Sequence, residues 1–331
     1  MNEEHGKFVV SLDFEILWGV RDHFTVETYG ENLLGVQRVI PKLLEAFNRH
    51  KVNGTFATVG LLFFDTKKEL LESLDFRKPQ YKNENLSPYV NEVFETGESV
   101  ETDKYHFASH LIEQIKKYPT QEIATHTFSH YYCLEEGQTI DDFREDIRAA
   151  IAVADKKGIV IKSIIFPRNQ FNDTYLEVCR EFGITSVRGN EQSWIYEARK
   201  YQKETSTRRA FRLADSYINI SGHHCFSDKY MTLRRPYNIP SSRFLRPFDR
   251  KLNWLEWLRM KRITNAMTFA AKHNLTYHIW WHPHNFGICQ DENFAFLEKI
   301  LTHYNKLNQQ YNFTSYTMAD LSAYLQKKYG N

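Results

Sequence analysis

The sequence has few cysteines, almost no net charge and no long apolar run, and each shortage excludes a class of protein. Four cysteines are spread over 331 residues without a CxxC pair, so we expect neither a disulfide framework nor a cysteine-based zinc site. The net charge of +2 argues against a nucleic-acid partner. No apolar run approaches the roughly 20 residues that span a bilayer, and the first residues do not resemble a signal peptide. We therefore expect a soluble, cytoplasmic protein, with peripheral contact to a membrane surface left open.

What the sequence does have is a high aromatic content and a repeated alternation of strand and helix patterns. Phe, Trp and Tyr make up 15% of the residues, and such rings line sugar or lipid grooves as well as cores. Apolar runs of strand length alternate with amphipathic stretches of helix length, which predicts a parallel sheet with crossover helices. The length suits one α/β barrel with insertions. We predict a single domain over residues 1–331, with insertions at about 75–104 and 197–250.

Two acidic residues stand at the end of the first predicted strand. Asp13 and Glu15 are two positions apart, so an extended chain points both carboxylates to the same side. One carboxylate could bind a metal ion while the other acts as a general base. The alternative is a strand that simply ends in solvated acids, and this segment alone does not decide between the two.

A histidine pair follows the strand predicted at residues 122–126. The four-residue spacing of His126 and His130 places two imidazoles on one face of a helical turn, which suits a divalent ion. Many such pairs bind no metal. Together with a carboxylate from another strand end, however, the pair forms the ligand set of a catalytic zinc site, with room left for water.

Two later strand ends carry further polar side chains. Arg168 follows a middle strand and could hold a carboxylate in a bidentate contact, or it could be a surface arginine after a proline turn. Near the last long strand, we predict that His282 acts as a general acid and that His278 is a packed core histidine. The role of His284 is left open.

Taken in chain order, these segments resemble the polysaccharide deacetylase family, also called NodB homology or carbohydrate esterase family 4. Ser11-Leu-Asp-Phe-Glu15 resembles a variant of its first motif, Thr-Phe-Asp-Asp-Gly, and His126-Thr-Phe-Ser-His130 matches its second motif, His-Ser/Thr-x-x-His, in full. Of the third motif, Arg-Pro-Pro-Tyr, only Arg168 is kept. Trp281-His282 resembles the late motif, in which an apolar residue precedes a histidine. The likeness covers about residues 7–325.

The resemblance implies a fold and a set of roles. The fold would be a distorted (β/α)7 barrel with loop insertions, and the cofactor one divalent metal ion, expected to be zinc. The ion would be held by Glu15, His126 and His130. The resemblance further implies a base, an acid and an arginine that orients the base, which are Asp13, His282 and Arg168. Phe14 stands where the commonest motif has its metal-binding Asp, so Asp13 as the metal ligand stays open. The candidate substrate contacts are Arg188, Trp194 and His284.

The reaction that this resemblance implies is removal of an N-acetyl or other N-acyl group from an amino sugar or glycan precursor, nucleotide-linked or lipid-linked. Two basic, aromatic segments, Trp254–Arg262 and Ser241–Arg246, could meet a phosphate or a membrane surface, although an ordinary amphipathic helix and solvated loops explain them too. Two other functions remain in view. An amidohydrolase acting on a small non-sugar amide would need a narrow, closed pocket, and a non-catalytic carbohydrate-binding barrel would have a broken metal-ligand set.

Overall fold

The frame of the protein is a sheet of parallel strands built from apolar and β-branched segments. The computed structural model describes residues 4–197 and 205–330. Nearly all strand residues are buried or partly buried, as expected for a parallel sheet that is covered on both faces. The strands are β1 (Lys7–Phe14), β2 (Gly54–Thr58), β3 (Glu122–Thr125), β4 (Ser163–Ile164), β5 (Ser186–Val187), β6 (Tyr237–Asn238), β7 (Arg243–Phe244), β8 (Thr276–Trp281) and β9 (Thr314–Tyr316).

The strand order shows a barrel that is not fully closed. The row runs β6-β5-β4-β3-β2-β1-β8-β7, and β9 pairs with the first residues of β1. Each of these pairings is parallel. The two end strands of the row, β6 and β7, are not paired with each other within the described chain. The architecture is therefore the distorted (β/α)7 type of barrel that was predicted.

Helices follow most of the strands and cover the outside of the sheet. Their bounds are α1 (Val26–His50), α2 (Lys67–Glu72), α3 (Glu92–Glu95), α4 (Ser109–Lys116), α5 (Ile140–Lys156), α6 (Asp173–Glu181), α7 (Ser206–Asp215), α8 (Asp228–Met231), α9 (Glu256–Lys272), α10 (Gln290–Tyr311) and α11 (Met318–Tyr329). Among the helices of residues 4–197 and 205–330, none is long and apolar enough to span a bilayer.

Two glycines allow α1 to pack closely against the turn that follows β8. A Cβ atom on Gly35 would lie 2.2 Å from the carbonyl oxygen of Gly287, and one on Gly287 would lie 1.9 Å from that of Asn32. Both distances are too short for any side chain, so this contact requires glycine on each side. The contact fixes the 3-10 turn Pro283–Phe286, which carries His284.

Capping residues explain where two of the helices begin. The long helix α1 begins at Val26, because Thr25 and Thr28 form a reciprocal capping box at its start. After β2 the chain forms the 3-10 turn Gly60–Phe63 and then α2, rather than one continuous helix. A second capping box, between Thr66 and Glu69, starts α2 as a new helix.

The two predicted insertions have different outcomes. Residues 75–104 hold only the short helical segments Glu84–Leu86 and Glu92–Glu95. The prediction for 197–250 was wrong in part, because β6 and β7 belong to this stretch and to the barrel. Each of these strands is two residues long, which is too short to show a sequence period. Residues 198–204 of this stretch lie outside the described residues.

A buried charged cluster anchors the 75–104 insertion beside β1. The two ring nitrogens of His106 lie 2.7 Å from Asp103 Oδ2 and 2.8 Å from Glu92 Oε1. The carbonyl oxygen of His106 accepts a hydrogen bond of 2.9 Å from the indole of Trp18, just after the first strand. Burial alone would lower the pKa of His106, but its two carboxylate partners outweigh burial and raise it to about 9.

Replacement of His106 by glutamine should therefore destabilise the protein in a pH-dependent way. The folded-state pKa of about 9 lies above the ordinary value of 6.5, so the charge stabilises fully below pH 6.5 and ceases to do so as the pH rises through 9. We expect His106→Gln to lower the free energy of unfolding by about 2–3 kcal/mol at pH 6, and much less at pH 9.5. Urea denaturation at both pH values measures this, with the exposed His273→Gln as the control. A loss that stays constant with pH would contradict the assignment.

Candidate active site

The predicted site residues lie at one edge of the sheet because they follow the carboxyl ends of parallel strands. Asp13 is the second-to-last residue of β1, and Glu15 is the first residue after the strand. His126, Arg188 and His282 are each the first residue after a strand, namely β3, β5 and β8. In barrels of parallel strands this edge is where functional groups collect.

Glu15 lies at the centre of the cluster, surrounded by four imidazoles. The Nε2 atoms of His126 and His130 lie 3.2 and 3.1 Å from Glu15 Oε2. The Nε2 atoms of His284 and His282 lie 3.2 and 3.6 Å from the other oxygen, Oε1. Gly19 leaves room for this carboxylate, since a Cβ atom there would lie 2.0 Å from Glu15 Cδ. The arrangement is a buried oxygen-and-nitrogen donor set of the kind that holds a metal ion.

His126 and His130 converge as predicted, but the predicted helical turn between them was wrong. The segment is a loop in which Thr127 and His130 have left-handed backbone conformations, with φ of 67° and 60°. The hydroxyl of Thr127 accepts a 2.7 Å hydrogen bond from the backbone N–H of Tyr131. These contacts, rather than helical spacing, bring the two ring centroids to 5.0 Å.

The histidine loop is held by a buried acid that the sequence analysis missed. Asp146, on α5, accepts hydrogen bonds from the backbone N–H groups of Phe128 and Ser129 at 2.7 and 3.1 Å, and from the Ser129 hydroxyl. Burial raises the pKa of Asp146 to about 6. The sequence does indicate this residue, because Asp146 is an acid between Phe143 and Ile147 on the apolar face of an amphipathic helix.

Asp13 has a different partner from the one predicted. Arg188 binds it in a bidentate contact, with Nη1 and Nη2 at 2.6 and 2.7 Å from the two carboxylate oxygens. Arg168 instead pairs with Asp22 and lies over the ring of Tyr132 at 4.3 Å. Arg188 is the first residue after a strand and points into the barrel, whereas Arg168 lies beyond Pro167 in the next turn. Arg188 was predicted as a substrate contact, but it is fully buried behind Asp13.

A chain of hydrogen bonds fixes the orientation of Arg188. Burial lowers the pKa of His278 to about 3, so the ring is neutral. Its Nδ1–H donates to the carbonyl oxygen of Ile239 at 3.1 Å, and its Nε2 accepts from the Ser11 hydroxyl at 2.8 Å. The Ser11 oxygen accepts in turn from Arg188 at 3.1 Å. His278 is thus the packed core histidine that was predicted, and it also supports the arginine behind Asp13.

The surroundings of the two carboxylates favour their ionised forms. Burial alone would raise both pKa values. For Asp13, the charge of Arg188 and then that of His126 outweigh burial and hold the pKa below its usual range. For Glu15, the charge of His282 and the hydrogen bonds from the other imidazoles hold the pKa well below its usual range. Both side chains are therefore anionic at neutral pH.

A cavity of about 410 Å³ opens beside His282. Its aromatic wall consists of Phe244 and Trp280, whose ring centroids are 4.8 Å apart, with the Trp280 ring 5.6 Å from that of His282. Trp194 was predicted as a substrate contact, but it is 57% exposed and lies against Phe211, outside the residues that line the cavity. The aromatic surface for a ligand is therefore formed by residues at the ends of the strands rather than by Trp194.

His284 also lies outside the lining of the cavity, contrary to its prediction as a substrate contact. It is buried, with Nε2 on Glu15 and with Nδ1 3.0 Å from the hydroxyl of Tyr29. The tight packing of its turn against α1 accounts for this position. His284 belongs with the donor set around Glu15.

The lining of the cavity contains four arginines and two glutamates, Glu191 and Glu197. Arg168 and Arg243 are ion-paired with Asp22 and Asp215, and Arg212 donates to the carbonyl oxygen of Ile195. The guanidinium of Arg246 makes no ion pair with any residue of the described chain. The Arg246 side chain is therefore available to an anionic ligand.

Comparison with known proteins identifies the fold. A candidate polysaccharide deacetylase from Mycobacterium smegmatis aligns with 99% of this chain and 93% of its own, with a TM-score of 0.63 and 11% identity. A candidate polysaccharide deacetylase from Pseudomonas aeruginosa PAO1 aligns with 98% of this chain and 92% of its own, with a TM-score of 0.56 and 10% identity. The PuuE allantoinase aligns with 98% and 91%, with a TM-score of 0.52 and 8% identity.

This chain has the fold of the polysaccharide deacetylases. No family model matches the sequence, and no curated protein matches it significantly. At 8–12% identity the shared feature is the barrel itself. The chemistry of this deacetylase-fold barrel therefore depends on its own side chains.

Replacement of Arg188 tests how much the stability of the protein depends on the positive partner of the buried Asp13 carboxylate. Breaking one partner of a buried ion pair costs about 3–5 kcal/mol. We expect Arg188→Met to lower the free energy of unfolding by about that amount in EDTA-treated protein, with partial recovery when Asp13→Asn is added. Guanidinium denaturation measures both variants. Arg180→Met, in an exposed pair with Glu177, is the control and should change stability by less than about 1 kcal/mol. An Arg188→Met protein as stable as that control would contradict the inference.

Proposed function

We propose that this protein is a metal-dependent hydrolase that removes an N-acetyl or other N-acyl group from an amino sugar or glycan precursor. The observation that carries the proposal is the geometry around β1. A buried Glu15 holds two imidazoles on one oxygen, and an arginine-bound Asp13 lies beside it. His282 connects this cluster with the cavity. The non-catalytic alternative called for a broken ligand set, whereas Glu15, His126 and His130 lie together here, which supports the catalytic interpretation.

The donor set fits a divalent ion such as zinc. Ligand atoms of a tetrahedral zinc site, with bonds of about 2.0–2.1 Å, lie about 3.3 Å from one another. The two imidazole nitrogens lie 3.2 and 3.1 Å from Glu15 Oε2. The other nitrogen of His130 contacts the Tyr132 hydroxyl at 3.0 Å, which is the outer hydrogen bond expected of a metal-bound histidine. These contacts favour Glu15 over Asp13 as the carboxylate ligand.

The remaining side chains have the positions that amide hydrolysis requires. When bound, the ion would act as a Lewis acid that activates water and polarises the acyl carbonyl. Asp13 is anionic and can accept a proton, while Arg188 keeps its carboxylate in one orientation. His282 Nε2, 3.8 Å from Asp13 Oδ2, is at the cavity and can deliver a proton to the departing nitrogen. Arg188 therefore takes the positioning role that was predicted for Arg168.

Metal content and acetate release test this proposal together. We expect His126→Ala to lose the ion held by Glu15, His126 and His130, and with it the activity, because one of its three ligands is gone. Asp13→Asn should keep the ion but lower kcat by about 10²–10⁴-fold, the usual contribution of a general base. The measurements are elemental analysis and acetate release from a panel of N-acetylated sugars and small cyclic amides. Full metal occupancy in His126→Ala would refute the ligand set, and release from cyclic amides alone would assign the enzyme to the second substrate class.

We further propose that the sugar is linked to a phosphate, as in a nucleotide-linked or lipid-linked precursor. The unpaired guanidinium of Arg246 supports this, because arginine binds phosphate with paired, charge-assisted hydrogen bonds. The aromatic wall of Phe244 and Trp280 offers an apolar face for the sugar ring. The cavity volume of about 410 Å³ is that of an ordinary small-molecule pocket.

Loss of Arg246 should therefore discriminate between linked and free substrates. Hydrogen bonds to charged groups contribute about 1.5–3 kcal/mol, so Arg246→Met should raise KM for UDP-N-acetylglucosamine by about 10–100-fold. KM for free N-acetylglucosamine should hardly change. The exposed Arg250→Met, outside the cavity, is the matched control. Equal effects on both substrates would show that Arg246 does not bind a phosphate.

We place this reaction in the cytoplasm, in peripheral contact with a membrane surface. All four cysteines are free, and two of them, Cys133 and Cys179, are buried thiols, which suits a reducing compartment. Trp254, in the 3-10 turn just before α9, and Trp257, in the first turn of α9, are 68% and 63% exposed. Exposed tryptophans beside basic residues are typical of interfacial contacts, and such a contact would suit a lipid-linked substrate.

A further inference from the structure

The carboxylate of Glu15 has two oxygens, and each of them faces its own pair of imidazoles. Oε2 lies between His126 and His130, which serve the hydrolase proposed above. Oε1 lies 3.2 Å from His284 Nε2 and 3.6 Å from His282 Nε2. This second group of one carboxylate oxygen and two imidazole nitrogens has the same composition and nearly the same size as the first.

We propose that Glu15 Oε1, His282 and His284 form a second divalent-metal position, so that Glu15 bridges two ions. A carboxylate that bridges two metals holds them about 3.5–4 Å apart. The ligand atoms of a tetrahedral zinc ion lie about 3.3 Å from one another, and the two distances at Oε1 lie on either side of that value. The three ligand atoms of the second position already lie close together, so no side chain has to move for an ion to bind there.

The contacts of His282 turn its Nε2 toward the two carboxylates. Asn285 Oδ1 accepts from the backbone N–H of His282 at 3.3 Å, which identifies this atom as the amide oxygen. The same oxygen lies 3.2 Å from His282 Nδ1 and holds that side of the ring. Nε2 then faces Glu15 Oε1 and Asp13 Oδ2 at 3.6 and 3.8 Å. Both distances are longer than a hydrogen bond, so the three groups leave room for a cation between them.

His284 has the outer contact that a metal-bound histidine needs. Its Nδ1 lies 3.0 Å from the Tyr29 hydroxyl, as His130 Nδ1 lies 3.0 Å from that of Tyr132. Outer hydrogen bonds of this kind orient metal-binding imidazoles. Each position thus has one carboxylate oxygen, two imidazoles and one imidazole that is held by a tyrosine hydroxyl.

The two positions differ in their access to solvent. The side chains of His126 and His130 are 1% and 4% exposed, whereas that of His282 is 24% exposed and lines the cavity. The second ion should therefore exchange more readily than the first. The second ion would also bind Nε2 of His282. His282 could therefore not deliver a proton while the second position is occupied.

Metal stoichiometry tests the second position without any use of substrate. We expect untagged, EDTA-stripped protein to bind two Zn²⁺ ions per chain in equilibrium dialysis. His284→Ala and His126→Ala should each bind one, and Glu15→Gln should bind both ions much more weakly. His303→Ala, which removes a histidine on α10 whose ring contacts Thr268 rather than Glu15, is the matched control and should still bind two. One ion per chain in the wild-type protein at saturation would overturn the proposal, as would two ions in His284→Ala.

A measurement on the wild-type protein alone tests the proposal even if the variants fail to fold. With two equivalents of Mn²⁺, electron paramagnetic resonance should show the exchange-coupled signal of a carboxylate-bridged pair. An uncoupled signal from a single ion would contradict the bridge. The outcome is separate from the proposed hydrolase, because a protein that binds a coupled pair but releases no acetate would keep the second position and refute the reaction.

Discussion

The structure depends on one constraint, the burial of two carboxylates at the end of the central strand β1. A buried charge is costly unless it is paired and hydrogen-bonded, and Asp13 and Glu15 are compensated by different groups. Arg188 compensates Asp13, while four imidazoles surround Glu15. These partners come from segments that follow β3, β5 and β8. The two carboxylates therefore hold the strand ends together as one unit.

The same constraint separates the roles of the two acids. Asp13 is bound on both oxygens by one arginine, which leaves it anionic and fixed in direction. The Glu15 carboxylate contacts imidazoles whose nitrogens can bind either a proton or a metal ion. The supporting residues behind them are buried: His278 and Ser11 behind Arg188, and Asp146 behind the histidine loop. Buried hydrogen bonds of this kind keep Arg188 and the histidine loop in fixed positions.

Much of the fold and part of the site could be predicted from local patterns. The long strands and helices have clear periods, and the acid, histidine and late histidine segments follow strands as expected. The short strands β6 and β7 could not be predicted, since two residues show no period. The roles of Arg168 and Arg188 were misassigned for a related reason. Which arginine reaches Asp13 depends on where each lies relative to its strand end, and a turn of two or three residues changes that direction.

The sequence by itself determined which chemical groups stand at the strand ends, because a strand and the polar residue after it are neighbours in the chain. It also determined the alternation that makes the sheet parallel. Only the tertiary structure decided which of these groups meet. His126 and His130 meet His282 and His284 on one carboxylate because β1 lies between β2 and β8 in the sheet, and residues more than a hundred positions apart come into contact only through that order. The pairing of charges in the buried site follows from strand order and strand length, which no local pattern contains.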